Sequence, residues 1–166
     1  RLSKEKGIFD VLQMSKKLPK DIHLIILGDG PEKNKVEAIS STNPNVHYLG
    51  SKAKEETIPL IRGSDLLIQP SLMEGGISYT LLESVACHTP VICTTAGHGK
   101  EFFKHLENSF LIEPKNHSQL LNAIEELFLN EEKRKKLSES AFNSIKIFGW
   151  KNIGQKYLDL YESLIS

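Results

Sequence analysis

Short apolar runs alternate with amphipathic stretches along the chain. Ile22-His23-Leu24-Ile25-Ile26-Leu27 is mostly apolar and ends in Gly28-Asp29-Gly30-Pro31. A short run without strict alternation predicts a strand buried on both faces, delivered into a turn. Similar runs at Val46–Leu49, Leu66–Gln69, Pro90–Cys93 and Phe110–Ile112 predict further strands. The intervening stretches carry helical patterns. Ile8, Val11, Leu12 and Met14 share one helical face, and Pro19 closes a helix over Ile8–Leu18. Pro31 suits the first turn of a helix reaching about Ile39. Others are expected around Ile58–Arg62, with Pro59 tolerable only near its beginning, and at Ser78–Ala86 and Glu101–His105. The chain finishes with Ser118–Leu129, Glu131–Ile147 and Asn152–Ile165, broken at Phe148-Gly149-Trp150. Apolar strands separated by helices give the α/β class, a parallel sheet covered on both faces. Such sheets bind ligands beyond the carboxyl ends of their strands, so the turns after each strand are where chemistry is sought.

Composition narrows the options. The 166 residues suffice for one domain with a real core. Lys+Arg and Asp+Glu both count 21, so no net field draws the domain to nucleic acid or an anionic membrane. An anion site must then be local. Cys87 and Cys93 lie in apolar stretches and read as reduced thiols of a cytoplasmic protein. The six histidines are scattered without metal-ligand spacing, and no Asp-x-Asp pair is present to hold a metal on a diphosphate. No apolar run approaches the ~18 residues of a membrane span. The sequence opens at Arg1, directly inside a motif, and is expected to be a fragment.

The richest turn follows Leu66–Gln69 and runs Pro70-Ser71-Leu72-Met73-Glu74-Gly75-Gly76-Ile77-Ser78 into a helix. Two glycines ahead of a helix let backbone N–H groups approach a ligand, and the helix start adds unpaired donors and partial positive charge suited to phosphate. Glu83, several residues into that helix, lies within reach of the ribose of a nucleotide whose diphosphate sits at the helix start. Two readings stay open at this level: Gly75-Gly76 is a ligand cradle or only a tight turn, and Glu83 holds ribose or closes a capping box from Thr80. Arg1 and Lys6 open the first helix; they are either a solvated helix end or a clamp for a diphosphate.

The ordered set of motifs resembles the group 1 glycosyltransferases, glycosyltransferase family 4. Arg1-Leu2 with Lys6-Gly7, Gly28-Asp29-Gly30-Pro31, Tyr48-Leu49-Gly50, Pro70-Ser71 with Glu74-Gly75, and Leu82-Glu83 follow its pattern in order. Ala86-Cys87-His88-Thr89-Pro90-Val91-Ile92, Asn108-Ser109-Phe110-Leu111 and the C-terminal Gly149-Trp150 continue it. The resemblance implies a Rossmann-like fold, the C-terminal donor-binding half of a two-domain (GT-B) enzyme. It implies that Arg1 and Lys6 bind the donor diphosphate, that Glu74 contacts the donor sugar, and that Glu83 holds the ribose. The backbone of Gly75, Gly76 and Ile77 would line sugar and phosphate, and the loop at Ser51 and Lys52 would meet the base. No metal or other cofactor is implied.

Three departures stand out. Eight residues separate Glu74 from Glu83, one more than is usual; His88 replaces a glycine; and Gly97-His98-Gly99 replaces a Gly-Gly pair. The family also places a central strand and an acceptor-binding N-terminal domain ahead of the Arg, both expected to be absent from this chain. The expected activity is transfer of a sugar from a nucleoside diphosphate sugar to an acceptor glycan or glycolipid, with retention of configuration, in polysaccharide, lipopolysaccharide or glycolipid synthesis. The isolated domain is expected to be inactive, and any membrane contact to come through the other half. A non-catalytic nucleotide-sugar-binding module is the alternative. A glycoside hydrolase using Glu74 and Glu83 ranks lower, because Trp150, the only tryptophan, sits in the tail.

Overall fold

The computed structural model describes residues 1–73, 75–96 and 102–165. After a 3-10 turn at Lys4–Lys6, the elements are α1 (Ile8–Ser15), β1 (Leu24–Ile26), α2 (Lys33–Ser40), β2 (Val46–Tyr48), α3 (Lys54–Arg62) and β3 (Leu67–Gln69). Then come α4 (Tyr79–Ala86), β4 (Val91–Thr94), β5 (Phe110–Ile112), α5 (His117–Leu129), α6 (Glu131–Ile145) and α7 (Trp150–Ile165). Every strand pairing is parallel, and helices cover both faces, as the apolar runs predicted.

Strand β4 makes the two-sided burial explicit. All four of its residues are buried. Ile92 joins a core with Val11, Met14, Leu120 and Ile124 from α1 and α5. Val91 and Cys93 join Leu81, Val85 and Ala141 from α4 and α6 on the opposite face. Burial pushes the Cys93 thiol up to about 12, so this sulfur behaves as a small core hydrophobe.

The strands form two groups. β1 pairs with β2, and β3 pairs with β4 and β4 with β5. Between β1 and β3 runs a groove of 560 Å³ lined along its length by Ile22–Leu27 on one side and Leu66–Gln69 on the other. Its floor and roof are apolar: Ile8, Val11, Met14 and Ile124 line it together with Leu60 and Ile61. Half-exposed Ile25 (43%) and Phe128 (44%) face into it.

Two expectations are corrected. α3 begins at Lys54, so Pro59 lies inside the helix rather than near its beginning. The missing Pro59 N–H is tolerated in so short a helix, whose first turn is secured because the Glu56 carboxylate accepts from the Ala53 N–H. No helix forms over Phe102–His105, and Glu101 lies outside the described residues. The Asn108 side chain accepts from the Lys104 N–H and donates to the Phe102 carbonyl, taking the backbone groups a helix would have used. This arrangement buries Phe102 and Phe103 against α4 and α6.

Helix α7 has no buried residue and exposes Trp150, Tyr157, Leu158, Tyr161 and Leu164. No helix among the described residues is long and apolar enough to cross a membrane.

Candidate donor-binding site

The first seven residues are stitched to the turns that end two strands. At the end of β1, the Leu2 N–H donates to the Asp29 carbonyl at 2.8 Å, and the Glu32 N–H donates to the Leu2 carbonyl at 3.1 Å. Gly30, at φ +155°, lets Leu2 pass so closely that a Cβ there would meet the Leu2 carbonyl oxygen at 2.4 Å. The Gly-Asp-Gly-Pro turn is thus a seat for Leu2, which is buried. At the end of β3, the Leu72 N–H donates to the Glu5 carbonyl at 2.7 Å. Gly7 takes φ +72°, and a Cβ there would lie 1.8 Å from the Pro70 carbonyl oxygen. Hydrogen bonds from its own backbone N–H and the Ser3 hydroxyl hold the exposed Glu5 carboxyl below its usual range.

This stitching sets the two cations. Arg1 is exposed and Lys6 half-buried, and both line the carboxyl-end mouth of the groove together with Pro70, Ser78 and Thr80. The side chains predicted to clamp a diphosphate therefore open onto the same cleft as the start of α4.

Around that turn, Glu74 lies outside the described residues, as do Gly97, His98 and Gly99. Among the described residues, a Cβ on Gly75 or Gly76 would meet nothing within 4 Å, and Gly76 is not left-handed. Ser78 is the N-cap residue of α4, and its side chain makes no capping hydrogen bond. The first-turn amides thus carry the usual partial positive charge of a helix start toward the mouth where Arg1 and Lys6 lie.

Glu83 resolves one open alternative. With α4 starting at Tyr79, Thr80 is not the N-cap and Glu83 is not the third residue, so the capping box is not formed. Glu83 stands about 7 Å along the axis from the helix start. Its Oε1 lies 3.3 Å from the ammonium of Lys54, the first residue of α3. Ser51, three residues ahead of Lys54, is exposed. Lys52 turns away to Glu56, 3.1 Å distant. The partnership of Lys54 and Glu83 has no signature in the sequence, since it joins two helices through tertiary packing.

His88, standing where the family usually has glycine, takes φ +58° just past the end of α4. A side chain in this left-handed position costs about 1 kcal/mol relative to glycine. Here the ring stacks on Phe142 with centroids 3.9 Å apart, a contact glycine cannot make. Among the described residues, no three His, Cys, Asp or Glu side chains gather as a metal site.

A parallel α/β fold of this kind receives its ligands beyond the carboxyl ends of its strands, where Arg1, Lys6 and the start of α4 line one groove. The family model of glycosyl transferases group 1 matches residues 1–144, and the chain belongs to that family. Two uncharacterized glycosyltransferases of Methanocaldococcus jannaschii are similar: one is 27% identical across the whole chain and 44% of its own length. The other is 30% identical over 96% of this chain and 45% of its own length. The chain therefore spans about half the length of these relatives. Among solved structures, Anabaena HepE in complex with UDP has the same fold, with a TM-score of 0.86 at 23% identity, covering 98% of this chain and 47% of that one.

Proposed function

We propose that this chain is the donor-binding half of a retaining glycosyltransferase that moves a sugar from a nucleoside diphosphate sugar to an acceptor glycan or glycolipid. The observation that carries the reading is that Arg1 and Lys6 line one cleft mouth with Ser78 and Thr80 at the start of α4. In the transfer, the bond from the sugar's anomeric carbon to the diphosphate oxygen breaks. A new bond to the acceptor oxygen forms on the same face, and the acceptor hydroxyl proton leaves with the diphosphate. Negative charge grows on the departing group. Arg1, Lys6 and the first-turn amides of α4 meet it there, without recourse to a metal, and fixed donors of this kind act most strongly on the transition state. Glu83 takes the ribose hydroxyls, the backbone of Gly75, Gly76 and Ile77 lines phosphate and sugar, and Ser51 meets the base. Glu74 keeps the donor-sugar contact that the family resemblance gives it.

The acceptor and any general base come from an N-terminal domain, so Arg1–Ser166 alone binds donor weakly and transfers nothing. The groove between β1 and β3 receives a strand that runs parallel to both and leads into Arg1. We place the protein in the cytoplasm, at the membrane only through the N-terminal half, consistent with the free thiols of Cys87 and Cys93.

The test begins with thermal shifts of the full-length protein against uridine, guanosine and adenosine diphosphates; the complex of HepE with UDP makes uridine diphosphate the first choice. Transfer from the matching labelled sugar nucleotide, persisting in a chelator, is then expected. Lys6→Ala lowers turnover by about 10²–10³, the usual loss for one such donor. Unchanged turnover removes Lys6 from the clamp. Stabilisation by a nucleotide without any transfer favours a non-catalytic binding module, a reading to which the extra residue between Glu74 and Glu83 also leans. The absence of any shift overturns the proposal.

A further inference from the structure

Lys54 has no part in the roles above, yet its position is specific. It is the first residue of α3, and its ammonium sits 3.3 Å from Glu83 Oε1. The two other acidic residues at this helix start are distinguished from Glu83 by their place on α3 itself: Glu55 and Glu56 occupy its first turn. Glu56 is engaged within its own loop, accepting from the Ala53 N–H at 3.2 Å and from Lys52. Those two contacts fix the start of α3, so Lys54 is presented from an anchored backbone. It reaches across to α4 rather than to its nearest carboxylates.

Glu83 needs such a partner. A glutamate side chain has several rotatable bonds, and holding it in one orientation costs rotamer freedom. On α4 no capping contact restrains it. A carboxylate offers about four lone-pair directions. One ammonium uses one of them and leaves enough for two neighbouring hydroxyl donors. Because an ammonium only donates, it competes with those hydroxyls for acceptors but cannot substitute for the carboxylate that binds them.

We propose that Lys54 is a positioning residue: it orients the Glu83 carboxylate so that both ribose hydroxyls of the donor nucleotide are met at once. The proposal rests on the reading of Glu83 as the ribose-holding group. Lys54 acts on ribose through Glu83 and on nothing else in the donor.

Titration calorimetry on the full-length protein tests it. The probes are the nucleoside diphosphate of the panel above that stabilises most and its 2′,3′-dideoxy analogue, which lacks both hydroxyls. Lys54→Ala is expected to weaken binding of the ribonucleotide about threefold to fivefold, the scale of a partly exposed ion pair. Binding of the dideoxy analogue stays unchanged, Lys54→Arg recovers most of the loss, and Lys54→Ala adds nothing in a Glu83→Ala background. Equal losses for both nucleotides would mean that Lys54 serves only as a general attraction for the diphosphate, and the proposal fails. An unaffected ribonucleotide affinity in Lys54→Ala also sinks it. If Glu83→Ala itself binds the ribonucleotide normally, the reading of Glu83 falls and this inference with it. If Glu83→Ala is weakened and Lys54→Ala is not, only this inference is lost.

Discussion

Asp10, the third residue of α1, is the residue whose setting most plainly works against its charge. Burial raises its carboxyl above the ordinary range, with His117, 4.0 Å away, and Lys115 pulling the other way. An acid whose value is raised by folding holds its proton more tightly in the folded chain than in the unfolded one. Its contribution is therefore unfavourable once pH climbs past the ordinary carboxylate value of about 4. Asp10→Asn should gain stability relative to the parent as pH rises from about 4 to 6, measured by urea melts across that range. A constant difference between the two proteins would show that burial does not act on this carboxyl. At the same scale, the cations of the cleft were legible from sequence because Arg1 and Lys6 keep their order relative to the later glycines and Glu83. Lys54 was not, since nothing periodic ties the start of α3 to the middle of α4. The cost of His88 in place of glycine was visible in the letters, but its stacking on Phe142 depends on where α6 lies.

Among the elements, the segment from Arg1 to Gly7 matters most, because it is neither strand nor long helix and is held by its contacts. Gly7 has two reasons to be glycine: φ +72° and a Pro70 carbonyl oxygen in the space of a Cβ. Gly7→Ala should destabilise the fold by about 2 kcal/mol or more, since neither the dihedral nor backbone atoms of the neighbouring turn yield cheaply. Turnover should fall as well, because Lys6 is the adjacent residue; a denaturant midpoint and turnover both equal to the parent's would contradict the close packing. The strands and long helices were legible from their apolar spacing. The missing helix at Phe102–His105 was not, because Asn108 decides it from beyond the segment. The early start of α3 was hidden by Pro59, a residue that forbids a hydrogen bond but not a helix whose first turn is otherwise secured.

On the scale of the whole molecule, the groove between the two strand groups makes a commitment about the full-length protein. Ile22–Leu27 and Leu66–Gln69 line it over six and four residues, a length that a strand of about five or six residues at ~3.3 Å each would fill. With apolar side chains on both faces of the groove, that strand should be continuously apolar and rich in β-branched residues. Hydrogen exchange should find the amides of Leu24–Ile26 and Leu67–Gln69 that face the groove protected in the full-length protein and fast in Arg1–Ser166 alone. Equal rates in both would leave the groove for some other occupant.

The seating of Leu2 in one turn and of Glu5 and Gly7 against another also bears on how such a domain can change. Both cations ride on a single short brace pinned at two points. An insertion in either turn would displace the pair as one body, and tuning the reach of Arg1 independently of Lys6 would require altering the brace itself. The loop before α3 is tied to the end of β1 by a lighter device, the Gly28 N–H donating to the Gly50 carbonyl at 2.8 Å, and it carries neither cation.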